Sequence, residues 1–279
     1  MSTTHADPAP QTRTAGRPGA LRGRSALVLA GVTMVGLVAF FWPFLADPGS
    51  AALGHASDAP WVFAVLLPLL LALVLAELAD GALDSRGIAM LGVLSAVAAA
   101  LRPIGAGTVG FEPIWVVIIL GGRALGPGFG FLLGNISLFA SAMLTGGVGP
   151  WLPFQMIAAG WLGFGAGCLP GASRRVEPWL VAAYGAVASI LYGFLLNLWF
   201  WPWAAGAQSQ LSFDPSASVM TNLHHWLLFN AATSLGYDLP RAVVVSVLLA
   251  LTARPVLAAL RRATRRAAFD RPIVFQAPT

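Results

Sequence analysis

Eight side chains of this sequence could together recognise a solute: Arg102, Glu112, Asn135, Trp151, Gln155, Asn197, Asp238 and Arg241. Guanidinium groups, carboxylates, carboxamides and an indole offer charge pairing and hydrogen bonds. That is the chemistry of binding, not of bond making. Asn135 and Gln155, with Ser137 and Ser141, also interrupt apolar runs within the stretch from Arg102 to Gly171. In a membrane span such groups face a bundle interior or a cavity, because lipid offers them no partner. A second reading stays open for the charges: Arg102 and Arg241 each have a carboxylate nearby in sequence, Glu112 and Asp238, and span-end ion pairs are common anchors. Other clusters carry less. His224 and His225 are adjacent, so they project in different directions on a helix, and no carboxylate is suitably spaced to complete a metal site. Cys168 is the single cysteine, which excludes an internal disulfide and leaves too few thiolates for zinc or an iron–sulfur cluster. No catalytic residue, metal, cofactor or nucleic-acid partner is expected.

One motif needs rejecting. ELADGALDSRG (77–87) resembles the DxxDGxxAR signature of phospholipid-forming alcohol phosphotransferases, whose paired carboxylates hold divalent metals. Glu77, Asp80 and Gly81 fit, but Arg86 falls one place late. Leu94, Ala98 and Arg102 stand where the second half requires Gly and two Asp. The segment reads as a solvated loop. Lysine is absent from the chain, so a phosphate-binding G-x-x-x-x-G-K-[ST] loop cannot form. Any uphill transport must draw on another subunit or an ion gradient.

The elements that position these residues follow from composition. The chain is 57% hydrophobic and 10% charged, with a mean hydropathy of +0.77. A soluble domain is about a quarter charged. The apolar runs are long and do not alternate with period two, so the class is an all-α integral membrane protein. Residues 1–25 form a disordered basic tail, and 26–45 and 61–79 are two amino-terminal spans. The first of these is too long for a signal-peptide core and lacks a cleavage site, so it is retained. Six more spans lie at 88–101, 113–124, 127–145, 152–169, 179–200 and from 237 or 239 to 260, within a membrane domain of residues 88–260. The run 113–124 is short for a span, so either residues 108–111 lengthen it or protein shields it. Glu112-Pro113 reads as its cap and first turn. Residues 219–235 suit a helix lying on or dipping into the membrane, and 261–279 form a second basic tail.

Orientation comes from arginine. With eight spans and the amino terminus inside, fourteen of the sixteen arginines fall on the inside, all but Arg102 and Arg241. Both termini are then cytoplasmic, and the chain is a multi-pass protein of the cell membrane. On this topology Arg102, Glu112, Trp151, Gln155, Asn197, Asp238 and Arg241 gather at the outer ends of spans, with Asn135 deeper. Such a convergence suits a ligand site open to the exterior.

Two stripes of small residues recur at helical spacing: Gly92, Ala96 and Ala100, and Gly126, Gly130 and Gly134. Small faces let a second helix approach closely in lipid. From spacing alone, the first stripe is read as packing within the chain.

The stretch from Gly92 to Gly171, with ATSLGYDLPRAVVVSVLLALTARPVLAALRRATRRAAF (232–269), resembles the substrate-binding S component of energy-coupling factor (ECF) vitamin transporters, in the form seen in actinobacteria. The Gly126-Pro127 turn and GGVGPWLPFQM (146–156) are its more specific pieces. The resemblance implies a six-helix bundle, to which this chain adds two amino-terminal spans. It implies binding of a vitamin or related micronutrient from outside, and inward delivery with a transmembrane T component and two ATPase subunits. Ala96-xxx-Ala100 matches the family's AxxxA contact with the T component, which turns the reading of Gly92, Ala96 and Ala100 into a partner interface. The aromatic-rich outer region would suit a bulky ligand such as a corrinoid. Alternatives from other classes are a self-contained secondary transporter and an intramembrane enzyme. Against the first stands the scarcity of carboxylates within spans, Glu77 being the one well inside.

Overall fold

Glycine and proline punctuate the apolar runs, and helices form between them. The computed structural model describes residues 23–45, 70, 83, 85–105, 108–204 and 209–267. The helices are α1 (Gly23–Leu45), α2 (Ser85–Leu101), α3 (Ile114–Leu125), α4 (Pro127–Thr145), α5 (Leu152–Cys168), α6 (Glu177–Ala204), α7 (Val219–Thr233) and α8 (Leu235–Ala267), with a 3₁₀ turn at Pro103–Gly105. No strand occurs among the described residues. By length and apolarity, Ser85–Gly105, Pro127–Thr145, Glu177–Pro202 and Leu235–Thr264 can each cross a membrane, while Leu29–Leu45 and Ile114–Leu125 are apolar but shorter. This is an all-α, multi-pass membrane protein. Of the expected span 61–79 only Leu70 is described, and it is buried. Glu77, most of the two basic tails and the loop 47–59 lie outside the described residues.

The short helix α3 sits at the centre. At 12 residues it spans only about 18 Å of a hydrocarbon core about 30 Å thick. Protein shields it: Ile114, Trp115, Ile118, Ile119, Leu120, Gly121, Gly122 and Leu125 are all buried, and α2, α4, α5 and α8 pack around it. Gly126, at φ 101°, turns the chain directly into α4.

The two small-residue stripes have different fates. Gly130 and Gly134 of α4 lie against α5: a Cβ on Gly130 would strike the Gly163 carbonyl, and one on Gly134 the Ala159 carbonyl. Gly122 of α3 meets the same Gly163 carbonyl. Backbones therefore touch along a seam joining α3, α4 and α5. On α2, by contrast, Leu91, Ser95, Ala98 and Ala99 are buried, while Gly92, Ala96 and Ala100 are exposed and nothing lies within 4 Å of a Cβ built on Gly92. The spacing-based reading of α2 as intramolecular packing does not fit this exposure. Hydrophobic patterning could not separate the stripes, because both are small and apolar.

The first amino-terminal helix joins the bundle on the side of α5, α6 and α7. Gly36 abuts Ile157 and Trp161, Trp161 Nε1 donates to Thr33 Oγ1 at 3.2 Å, and Phe40 packs edge-on to Phe154 with ring centroids 5.0 Å apart. At its end Phe44 stacks on Trp201. The helix expected near 219–235 is α7, capped by the Ser218 hydroxyl, which accepts from the Thr221 amide. α8 continues to Ala267, so the first residues of the expected tail are helical. RRATRRAA has good helix formers, and arginines suit a helix carboxyl end.

Candidate functional site

Span ends on one side of the bundle enclose a cavity of about 300 Å³. Six of the eight residues singled out in the sequence line it: Arg102, Glu112, Gln155, Asn197, Asp238 and Arg241. They come from five places in the fold: the carboxyl end of α2, the residue pair leading into α3, the first turn of α5, the last third of α6, and the first two turns of α8.

The two arginines behave differently. Arg241 is buried, and its guanidinium donates to an Asp238 carboxylate oxygen one turn away and to the Ser189 carbonyl at 2.7 Å. It also lies 3.6 Å from Glu112 Oε2. Its Cζ sits 5.2 Å from the centroid of the Tyr192 ring and 5.6 Å from that of Tyr237, within cation–π range. One cation is thus shared by two carboxylates and two aromatic faces. Among the described residues Arg102 meets only neutral groups, donating to Gln155 Oε1 at 3.2 Å and Ser141 Oγ at 3.4 Å. The ion-pair reading therefore holds for Arg241, which gathers both Asp238 and Glu112, and not for Arg102. Sequence proximity suggested two separate pairs; the turn at Pro103–Gly105 carries Arg102 toward α4 and α5 instead.

Glu112 does not cap α3 with its side chain, since the amino end of that helix has no side-chain cap hydrogen bond. Its carboxylate turns into the cavity, where it accepts from Trp115 Nε1 and, at 3.1 Å, from the Tyr237 hydroxyl. Trp115 in turn packs on Tyr192 with ring centroids 4.4 Å apart. On the opposite wall Asn197 Nδ2 donates to Asn230 Oδ1 at 2.7 Å and to the Ser234 hydroxyl, tying α6 to the junction of α7 and α8. Gly193 leaves room for Asp238, because a Cβ there would run into the carboxylate.

Two expected residues lie outside the lining. Asn135 is fully buried in α4; its Nδ2 donates to the Phe131 carbonyl at 2.8 Å, and the side chain presses on Gly160 of α5. Trp151 is 41% exposed and donates to the Gly147 carbonyl. The sequence places Asn135 deeper than the others, at mid-span, and its helix face points at α5. Nine further lining residues were not foreseen, among them Trp115, Tyr192, Ser234 and Tyr237. Trp115 stands three residues after Glu112, and Tyr237 four before Arg241, so a search for helical neighbours of the charges would have found both. Tyr192 carried no sequence signal. Among the described residues no group of three His, Cys, Asp or Glu is placed to hold a metal ion. His225 Nδ1 is instead 2.9 Å from the Ser212 carbonyl.

At the opposite ends of the helices, Glu177 bridges Arg123 and Arg261. Arg123 Nε donates to it at 2.9 Å, and the Arg261 nitrogens to its two oxygens at 2.8 and 2.6 Å. Arg123 also holds the carbonyls of Leu169 and Pro170.

Fold and cavity define a class: an all-α membrane protein with a small, charged, aromatic-walled chamber near one end of its spans. The model of the ECF transporter substrate-specific component family matches residues 86–251, more than half of the chain, and the protein belongs to that family. No curated protein and no solved structure matched. The family match begins at α2 and leaves α1 outside it.

Proposed function

We propose that this protein binds a vitamin-like solute from outside the cell and delivers it inward together with a T component and two separate ATPase subunits. Membership of the substrate-specific component family supports the class. The observation that carries the site is Arg102: a guanidinium at the wall of the cavity whose partners, Gln155 and Ser141, are neutral. A cation at a partly desolvated site is best satisfied by an anion, so the solute supplies one, such as a carboxylate or phosphate. Trp115, Tyr192 and Leu138 offer an apolar wall for the rest of it. A volume of about 300 Å³ sits at the low end of the ~300–1,000 Å³ range of small-ligand pockets. That favours a compact solute and disfavours the corrinoid suggested by the aromatic-rich sequence.

The exposed stripe Gly92, Ala96 and Ala100 supports docking of the T component on α2. With no lysine this chain cannot form a phosphate-binding loop of its own, and on this reading the separate ATPase subunits supply the energy for uptake. An intramembrane enzyme finds little support, because Cys168 ends α5 whereas His225 is held by the segment before α7.

The test starts with mass spectrometry of the small molecule that co-purifies with the protein. Uptake of that molecule is then followed in cells with and without ECF partner subunits. Accumulation without partners, abolished by an uncoupler, would sink the proposal in favour of a secondary transporter.

A further inference from the structure

At the end of the bundle opposite the solute cavity, a cleft of about 1000 Å³ opens between the loop before α6 and the last turns of α8. Five arginines line it, Arg174, Arg175, Arg254, Arg261 and Arg262, against one carboxylate, Glu177. That carboxylate is already taken by Arg123 and by both terminal nitrogens of Arg261. Among the described residues the other four arginines have no hydrogen-bond or ion-pair partner. Arginine-rich ends are general in membrane proteins. Here four exposed, unpaired guanidinium groups line a single cleft, and an anion among them relieves their mutual repulsion.

The surface leading into the cleft identifies the anion. Along α8, Val243, Val247 and Leu251 stand exposed, the last at 72%. Arg254, Ala258 and Arg262 continue the same helical stripe into the cleft. Trp179, 68% exposed, stands at the start of a matching stripe on α6 that continues through Val187 and Leu191. The face is therefore apolar along the span and cationic where the span ends. In the membrane, lipid chains already cover the apolar half, so the anions nearest the guanidinium groups are lipid headgroups, whereas an acidic protein surface would have to enter the acyl-chain region. A phospholipid fills both halves, with its chains on the valines and leucines and its phosphate among guanidiniums that match phosphate geometry.

We propose that this cleft between α6 and α8 binds the headgroup of an anionic phospholipid. The test uses the full-length protein in detergent, with native mass spectrometry reading retention of phosphatidylglycerol against phosphatidylcholine of the same chain length. Wild type should retain phosphatidylglycerol preferentially. Each arginine near an anionic headgroup is worth roughly fivefold in affinity, so the quadruple variant R174Q/R175Q/R254Q/R262Q should lose the preference. Arg86→Gln, an exposed arginine at the start of α2 outside the cleft, should keep it. Should the quadruple variant fail to fold, the double variant Arg174→Gln with Arg254→Gln takes one group from each wall and should lower the preference by about 25-fold. Equal retention of the two lipids by wild type would overturn the proposal, as would a preference that survives the substitutions. Displacement of the lipid by glycerol phosphate would overturn it in favour of a free-anion site. Unchanged lipid retention with loss of T-component co-purification would overturn it in favour of a protein contact.

Discussion

Replacing Ala96 and Ala100 together by tryptophan should abolish partner binding and leave the protein itself intact. Both alanines are exposed on α2, and the neighbouring position Gly92 has nothing within 4 Å of a Cβ. Two indoles there enter open space, and surface changes of this kind usually fall within about 0.5 kcal/mol. Gly130→Leu is the internal comparison. Its first added carbon meets the Gly163 carbonyl, a backbone atom that moves only if α5 moves. Overpacking costs about 1–3 kcal/mol where side chains can adjust, and more where a whole helix must shift. At roughly 2–4 °C per kcal/mol for a chain of this size, Gly130→Leu should lower the melting temperature in detergent by about 5–10 °C. The double tryptophan variant should move it by about 2 °C or less, while retaining solute and losing co-purification with the T component. Equal destabilisation of both variants, with solute binding failing alongside, would refute the reasoning and return the α2 stripe to packing within this chain.

Arg102→Ala and Gln155→Ala should each weaken binding of the co-purifying solute by roughly ten- to 150-fold in calorimetric titration, since a hydrogen bond to a charged group is worth ~1.5–3 kcal/mol. Asn135→Ala should leave that affinity unchanged and lower thermal stability by about 1 kcal/mol, because the side chain packs between α4 and α5 away from the cavity. Glu177→Ala should destabilise the fold by about 3 kcal/mol in chemical denaturation, at the low end for a buried pair because Arg261 is 38% exposed. Reporter fusions at Gly149 and Ser212 should report outside and those at Ser85 and Arg174 inside; a reversed pattern would place the cavity on the cytoplasmic face.

Much of this molecule is written in local pattern. Gly126-Pro127 marks the turn between α3 and α4, and the expected span 127–145 coincides with the helix Pro127–Thr145. The gathering of Arg102, Glu112, Gln155, Asn197, Asp238 and Arg241 at one cavity follows from depth, which topology gives once the spans are counted. Azimuth is not readable in the same way. Asn135 lies deeper and faces α5 rather than the cavity, while Tyr192 lines the cavity and has no distinguishing neighbours in sequence. Ion-pair partners are equally opaque, because Glu112 finds Arg241 across 129 positions of chain rather than Arg102 ten residues back.

The glycine seam also sets how the cavity can open. Where α3, α4 and α5 meet at Gly122, Gly130, Gly134 and Gly163, bare backbone rests on bare backbone. No side chain can swing aside there, so these three helices form a stiff plate that moves whole or stays put. The facing wall is built otherwise. Asn197 holds Asn230 and Ser234 through side-chain amides and a hydroxyl, bonds that water can replace at about 1 kcal/mol each. On the proposed function, the α7 side is the wall of the chamber that can give way, with Asn197 tying it shut. On the same reading, an entering solute meets Arg102 held by Ser141 and Gln155 of that plate.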